Sequence, residues 1–149
     1  MRVYLVHHGV AVDAAEDARR PLSPVGLANA ARVAAKAAAL GAKPDVVWHS
    51  GKLRAKQTAL EFWRACNALA EFCVSKDLQP DDPPQRIRDR LRGELRDIAI
   101  AGHFPHLPRL LALLITGGEA GVDFPINGVV ALVTDDEGET YREIWRIEN

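Results

Sequence analysis

Four short, mainly apolar segments recur along this chain, at residues 3–6, 45–49, 72–74 and 98–101, separated by longer stretches with helical spacing. Apolar segments this short, bounded by turn residues, predict buried strands. Ser23 as N-cap, Pro24 at the first helical position and Gly41 as the stop frame a first helix. Along it Leu27, Ala31, Ala34 and Ala38 keep the spacing of one face, and its many small side chains allow close packing on a sheet. Ser50 reads as the cap of a second helix carrying Leu53, Leu60, Phe62 and Trp63. Pro80, Pro83 and Pro84 break the chain before a third helix, from about 85 to 92. A fourth runs from about 105 to 115, with Pro108 in its first turn, where a missing N–H costs little, and Gly117-Gly118 closing it. Residues 129–134 and 141–147 flank Asp135-Asp136-Glu137-Gly138-Glu139, the pattern of a β-hairpin. This order predicts a three-layer α/β fold: a mostly parallel central sheet, helices on both faces and a C-terminal antiparallel β-hairpin. The 149 residues suit one domain, 1–149, able to bury about two-thirds of the surface its unfolded chain exposes.

Composition narrows the function. Charged residues make up 26% of the chain and the formal net charge is -1, which argues against a nucleic-acid binder, whose footprint is an excess of Lys and Arg on one face. The arginines between Arg86 and Arg96 are interleaved with Asp89 and Glu94, as on a solvated helix face. The first apolar run is too short for the core of a signal peptide, and residues 110–115 fall far below a membrane span. A cytoplasmic monomer is expected. The spacing of Cys66 and Cys73 matches no zinc or redox motif, so they read as small buried residues, with a disulfide as the alternative.

The chemistry concentrates where strands end. The first run empties into His7-His8-Gly9 and the fourth into Gly102-His103. If both strands lie parallel in one sheet, their imidazoles share its C-terminal edge, where open α/β sheets place reactive groups. Between them Ser50-Gly51-Lys52-Leu53-Arg54-Ala55-Lys56-Gln57-Thr58 puts Arg54 in the first turn of a helix. A guanidinium there grips two phosphate oxygens beside the positive end of the helix dipole. A surface ion pair with Glu61 is the alternative for Arg54. A neutral His8, one ring nitrogen held by a carbonyl of the Gly9 turn, would present the other nitrogen's lone pair to phosphorus. Zinc held by His7, His8 and His103 is disfavoured, because neighbouring strand residues face opposite ways and no carboxylate or cysteine is placed to complete a site. No metal or other cofactor is therefore expected. His49 reads as structural, and His106 as facing the pocket rim or solvent.

The sequence order of strand–HG, S-x-x-x-R-A-x-Q-T and strand–GH resembles the histidine phosphatase superfamily, and the short SixA-type phosphohistidine phosphatases most closely. The likeness extends over Arg20-Pro21-Leu22-Ser23, Pro80-Asp81-Asp82 and Gly102-His103-Phe104-Pro105-His106-Leu107. It implies a phosphatase with a covalent phosphohistidine at His8, with Arg54 and His103 as catalytic partners. His7, Gly9 and Arg20 are the expected phosphate-binding set, though Arg20 reads equally well as part of a charged surface. Substrates implied are phosphorylated proteins such as a histidine-containing phosphotransfer domain. The family usually has Arg-His-Gly where this chain has His7-His8-Gly9. Histidine is shorter than arginine, and its help is expected mainly when protonated. That departure keeps a phosphate-binding pseudoenzyme open as an alternative, beside a small-molecule phosphoester phosphatase. Larger superfamily members carry an acid that protonates the leaving oxygen, and no equivalent stands out here. A phosphoramidate needs least help, because its imidazole leaves as a neutral molecule.

Overall fold

In the computed structural model, which describes residues 1–149, the chain runs β1 (Arg2–His7), α1 (Pro24–Ala39), β2 (Val46–His49), α2 (Leu53–Cys66), β3 (Glu71–Val74), α3 (Pro84–Leu91), β4 (Ile98–Gly102), α4 (His106–Thr116), β5 (Val129–Val133) and β6 (Arg142–Ile147). The six strands form one sheet in the order β3-β2-β4-β1-β5-β6. β1, β2, β3 and β4 pair in parallel, while β5 lies antiparallel on β1 and β6 antiparallel on β5. This is the α/β architecture expected, with the terminal hairpin forming one end of the sheet.

Strand alternation divides the core in two. Val3 and Leu5, Ile98 and Ile100, and Val130 and Leu132 face α3 and α4, meeting Ile87, Leu91, Leu107, Leu110 and Leu111. Tyr4 and Val6, Ala99 and Ala101, and Val129 and Ala131 face α1 and α2, against Val33, Ala34, Ala37, Ala59 and Phe62. The alanines on this second face let α1 and α2 approach the sheet closely.

Ser23 caps α1 as expected, its hydroxyl accepting from the Gly26 N–H at 3.0 Å. The buried face of α1 differs from expectation. It comprises Gly26, Ala30, Val33, Ala34 and Ala37, whereas Leu27 is 38% exposed. The chain crossing decides this: a side chain at Gly26 would run into the Val10 carbonyl, so the helix is seated on its glycine rather than on its leucine. Arginines of the 86–96 stretch pair with acids, Arg86 with Asp77, Arg88 with Asp89 and Arg96 with Glu94, as a solvated face would. Arg90 instead lies over the Trp48 ring, 4.3 Å from its centroid. Both cysteines are free and half-buried.

Candidate active site

Parallel pairing sets His7 level with Gly102, so β1 and β4 end together and deliver His8 and His103 to the same edge. The His8 N–H donates to the Gly102 carbonyl at 3.2 Å, and the His7 N–H to that of Gly128 at 3.0 Å. The ring centroids of His8 and His103 stand 5.1 Å apart, and those of His7 and His8 4.5 Å apart. Alternation is thus softened at the strand end, where neighbouring rings converge on the edge.

The His8 Nδ1 lies 2.7 Å from the Gly9 carbonyl oxygen. A carbonyl can only accept, so the ring proton is on Nδ1 and the Nε2 lone pair is free. Burial, then the Arg54 and Arg20 charges, hold the His8 pKa below the ordinary value, against the opposing pull of the Gly9 carbonyl. The ring is therefore neutral at pH 7. Gly9 also has its N–H engaged, donating to the Thr58 hydroxyl at 3.0 Å. Its N–H, the group with which it could touch a phosphate, is thus already occupied within the protein.

Thr58 in turn donates to the Arg54 carbonyl at 2.8 Å, tying the nucleophile's turn to the first turn of α2. One residue earlier, the Gln57 carboxamide oxygen accepts from the Leu22 N–H at 2.7 Å and fastens the loop that carries Arg20. The R-A-x-Q-T spacing therefore joins three segments of chain around one place. Arg54 makes no ion pair; Glu61 pairs instead with Arg64 at 3.1 Å. The Arg54 Nε is buried without a partner, and burial and the Arg20 charge both push its pKa down. Arg20 likewise has no carboxylate partner; its Nε donates to the Val12 carbonyl at 3.0 Å. Two guanidinium groups close enough to repel, neither paired with a carboxylate, make a region of positive potential suited to an anion.

His103 is 1% exposed. Burial, with the charges of His8 and Arg54, brings its pKa down to about 3. Its Nε2 meets the Ser50 hydroxyl at 2.6 Å, and that hydroxyl accepts from the Lys52 N–H at 3.4 Å. The other ring nitrogen, Nδ1, is a buried atom with no partner in the protein. Ser50 is thus not the cap of α2: the N-cap is Lys52, and no side chain caps that helix. Gly51, at φ +90°, turns the chain between them. Lys52 adds another positive charge acting on His103.

His7 is 7% exposed, and its ring stacks on Phe104, with centroids 3.9 Å apart and planes 7° from parallel. Its Nδ1 accepts from the Asn127 N–H at 2.8 Å. Burial, with the His8 charge, pushes its pKa down to about 3, so the expectation of a protonated His7 gives way to a neutral ring. His49 serves the turn, its Nδ1 accepting from the Gly51 N–H at 3.0 Å. His106 does not face the rim or solvent. It is fully buried at the start of α4, neither ring nitrogen having a hydrogen-bond partner, because the first turn of that helix packs against the core. No group of three His, Cys, Asp or Glu side chains is placed to hold a metal ion.

Sequence reasoning missed Ser50, Thr58, Gln57, Phe104 and Asn127 as parts of this place. The S-x-x-x-R-A-x-Q-T spacing carried a signal for the first three. Nothing local marked Asn127, which lies 120 residues from His7.

The sequence matches no protein-family model and no curated protein. Solved structures do resemble it. The protein histidine phosphatase SixA, solved with tungstate, superposes with a TM-score of 0.86 at 25% identity, covering 99% of this chain and 97% of that one. A SixA protein from Agrobacterium tumefaciens gives 0.80 at 24% identity over the same shares of each chain. A phosphoglycerate mutase from Plasmodium falciparum gives 0.72 at 16% identity, over 97% of this chain and 88% of its own. With correspondence from end to end, and the histidines and arginine in the order their motifs require, this chain has the fold of the histidine phosphatases and is similar throughout its length to the protein histidine phosphatase SixA.

Proposed function

We propose that this phosphatase hydrolyses a phosphohistidine borne by another protein, such as a histidine-containing phosphotransfer domain, through a covalent phosphoryl group on His8. The observation that carries the reading is the His8 ring, its Nδ1–H held by Gly9 at 2.7 Å and its free Nε2 beside two arginines that no carboxylate neutralises. The Nε2 lone pair attacks phosphorus in line; the new P–N bond forms as the bond to the substrate imidazole breaks. That imidazole, protonated on its other nitrogen, leaves as a neutral molecule. The proton stays on His8 Nδ1 throughout, donated to the Gly9 carbonyl, whose dipole stabilises the positive charge that the ring gains. Water then attacks the phosphoryl group, the P–Nε2 bond breaks, its electron pair returns to Nε2, and inorganic phosphate departs.

Phosphoryl transfer asks chiefly for positioning and charge stabilisation. In this reading Arg54 and Arg20 bear the charge of the equatorial oxygens, and His103, held at Nε2 by Ser50, donates to one of them. Gly9 acts through the ring it orients. All charges acting on His8 and His103 are positive, with no carboxylate among them. A leaving alkoxide would want an acid there, whereas an imidazole would not, and this favours a phosphoramidate over a phosphoester. No helix of the chain is long and apolar enough to cross a membrane.

Incubation with a phosphohistidine-bearing protein should leave an acid-labile, base-stable phosphoryl group on this chain, and His8→Ala should abolish both label and turnover with its circular dichroism intact. Turnover near the wild-type rate in that variant refutes the covalent route. Faster release from p-nitrophenyl phosphate than from phosphohistidine refutes the substrate class.

A further inference from the structure

His7 stands where the family's Arg-His-Gly pattern has a cation, and its surroundings are built for a neutral ring. Phe104 covers one face. The Asn127 N–H fills the Nδ1 lone pair at 2.8 Å, while the Asn127 side-chain amide donates to the His8 carbonyl at 2.7 Å. Asn127 holds both bonds from a left-handed backbone, φ +55°, a conformation asparagine tolerates better than most residues. It thereby clamps both histidines of the β1 terminus. An imidazole that accepts at Nδ1 and is neutral carries its proton on Nε2, and no protein group bonds that nitrogen. The titratable groups around it are His8 next in the chain, His103 at the end of β4, and Arg54 and Arg20, which act on His8. None is an acid that could balance an imidazolium. Protonating His7 at Nδ1 would break the Asn127 bond and bury a charge with no acid to balance it.

We propose that His7 binds the phosphoryl group as a neutral Nε2–H donor, locked in that tautomer by the Asn127 backbone, so that the pocket works with one cation fewer than an Arg-His-Gly site. The proposal rests on reading this sheet edge as the phosphoryl site. Asn127 is then a positioning residue, acting through the two rings it holds. A donor of this kind does not titrate across the physiological range, and it weights recognition toward hydrogen-bond direction rather than charge. Arg54 and Arg20 are left to carry the electrostatic attraction.

Long-range proton–nitrogen correlation NMR of the whole 15N-labelled protein reads the tautomer directly, with His7→Phe assigning the signals. In the free protein His7 should show a bare-type Nδ1 and a protonated Nε2 unchanged from pH 5 to 9. A His7 ring that titrates near 6.5, or one protonated at Nδ1, overturns the proposal whatever the enzyme's activity. Adding tungstate should shift the His7 Nε2–H together with the His8 and His103 signals. Shifts at His8 and His103 alone refute His7 as a ligand; no shift at any of the three refutes the phosphoryl-site reading itself, and the proposal with it. His7→Phe, which keeps the stacking and removes the donor, should bind tungstate at least about tenfold more weakly, the scale of one hydrogen bond to a charged group. In kinetics, His7→Arg should change kcat/KM by the same factor from pH 6 to 9. A ratio that climbs about tenfold per pH unit above neutrality would mean that the native residue works as a cation.

Discussion

Acid should unfold this protein earlier and more steeply than its surface charges alone require. All five histidines are held below their ordinary pKa, burial being the first cause at each. For His7 and His103 the folded value is about 3, against 6.5 for the free side chain. Between those limits the unfolded chain binds protons that the folded chain refuses, so stability rises with pH there and is lost progressively as pH falls from about 6.5 towards 3. At pH 5 each of these two rings costs about 2 kcal/mol relative to pH 8, together about 4 kcal/mol, a large part of the 5–15 kcal/mol typical of a domain. Near that pH the two add a slope of about 2.7 kcal/mol per pH unit, one proton's worth each. His8, His49 and His106 act in the same direction. Carboxylates held low by their partners, Glu94 at about 2 by Arg96 and Asp136 at about 2 by Thr140, act only below about pH 5. Urea unfolding followed by far-ultraviolet circular dichroism at pH 8, 7, 6, 5.5 and 5 isolates the histidine window. A slope under about 1.4 kcal/mol per pH unit between pH 6 and 5 would mean that at most one ring is buried neutral, and the tautomer assignments would fall with it.

Arg54→Ala should lower kcat/KM at least about 100-fold with the fold unchanged, the scale of deleting one charge-stabilising donor; a smaller loss places the phosphoryl oxygens elsewhere. Ser50→Ala should cost about tenfold to 100-fold in turnover and move the His103 ring-nitrogen shifts, while Ser50→Thr should restore both. His106→Leu replaces a buried ring with two unpartnered nitrogens, and should raise stability by about 1–2 kcal/mol in the same urea titration with activity unchanged. Because His8 must be neutral to attack and its pKa is depressed, activity should be flat through neutrality and fall only on the acid side, below pH 6.5; a fall beginning above that value, at constant secondary structure, would contradict the burial of the ring.

The sequence alone determined the elements and their order, because the central strands, buried on both faces, must be short apolar runs, and Pro and Gly punctuate the segments between them. It also determined that two histidines leave strand ends and that Arg54 opens a helix, since those are matters of local spacing. Tertiary structure decided what each of these residues is for. Ser50 looks locally like a helix cap, and becomes the partner of His103 only because β2 and β4 are neighbours in the sheet. Leu27 looks like the buried anchor of α1, yet Gly26 takes that place because another stretch of backbone passes through the space a side chain would fill. His106 looks like a rim residue by its distance from His103 in sequence, but the packing of α4 encloses it. His7 is where the two sources of information diverge most: sequence gives a residue able to carry charge, while a backbone amide 120 residues away and a stacked phenyl ring fix it as neutral. Protonation state is a property of surroundings, and those are assembled only when distant parts of the chain meet.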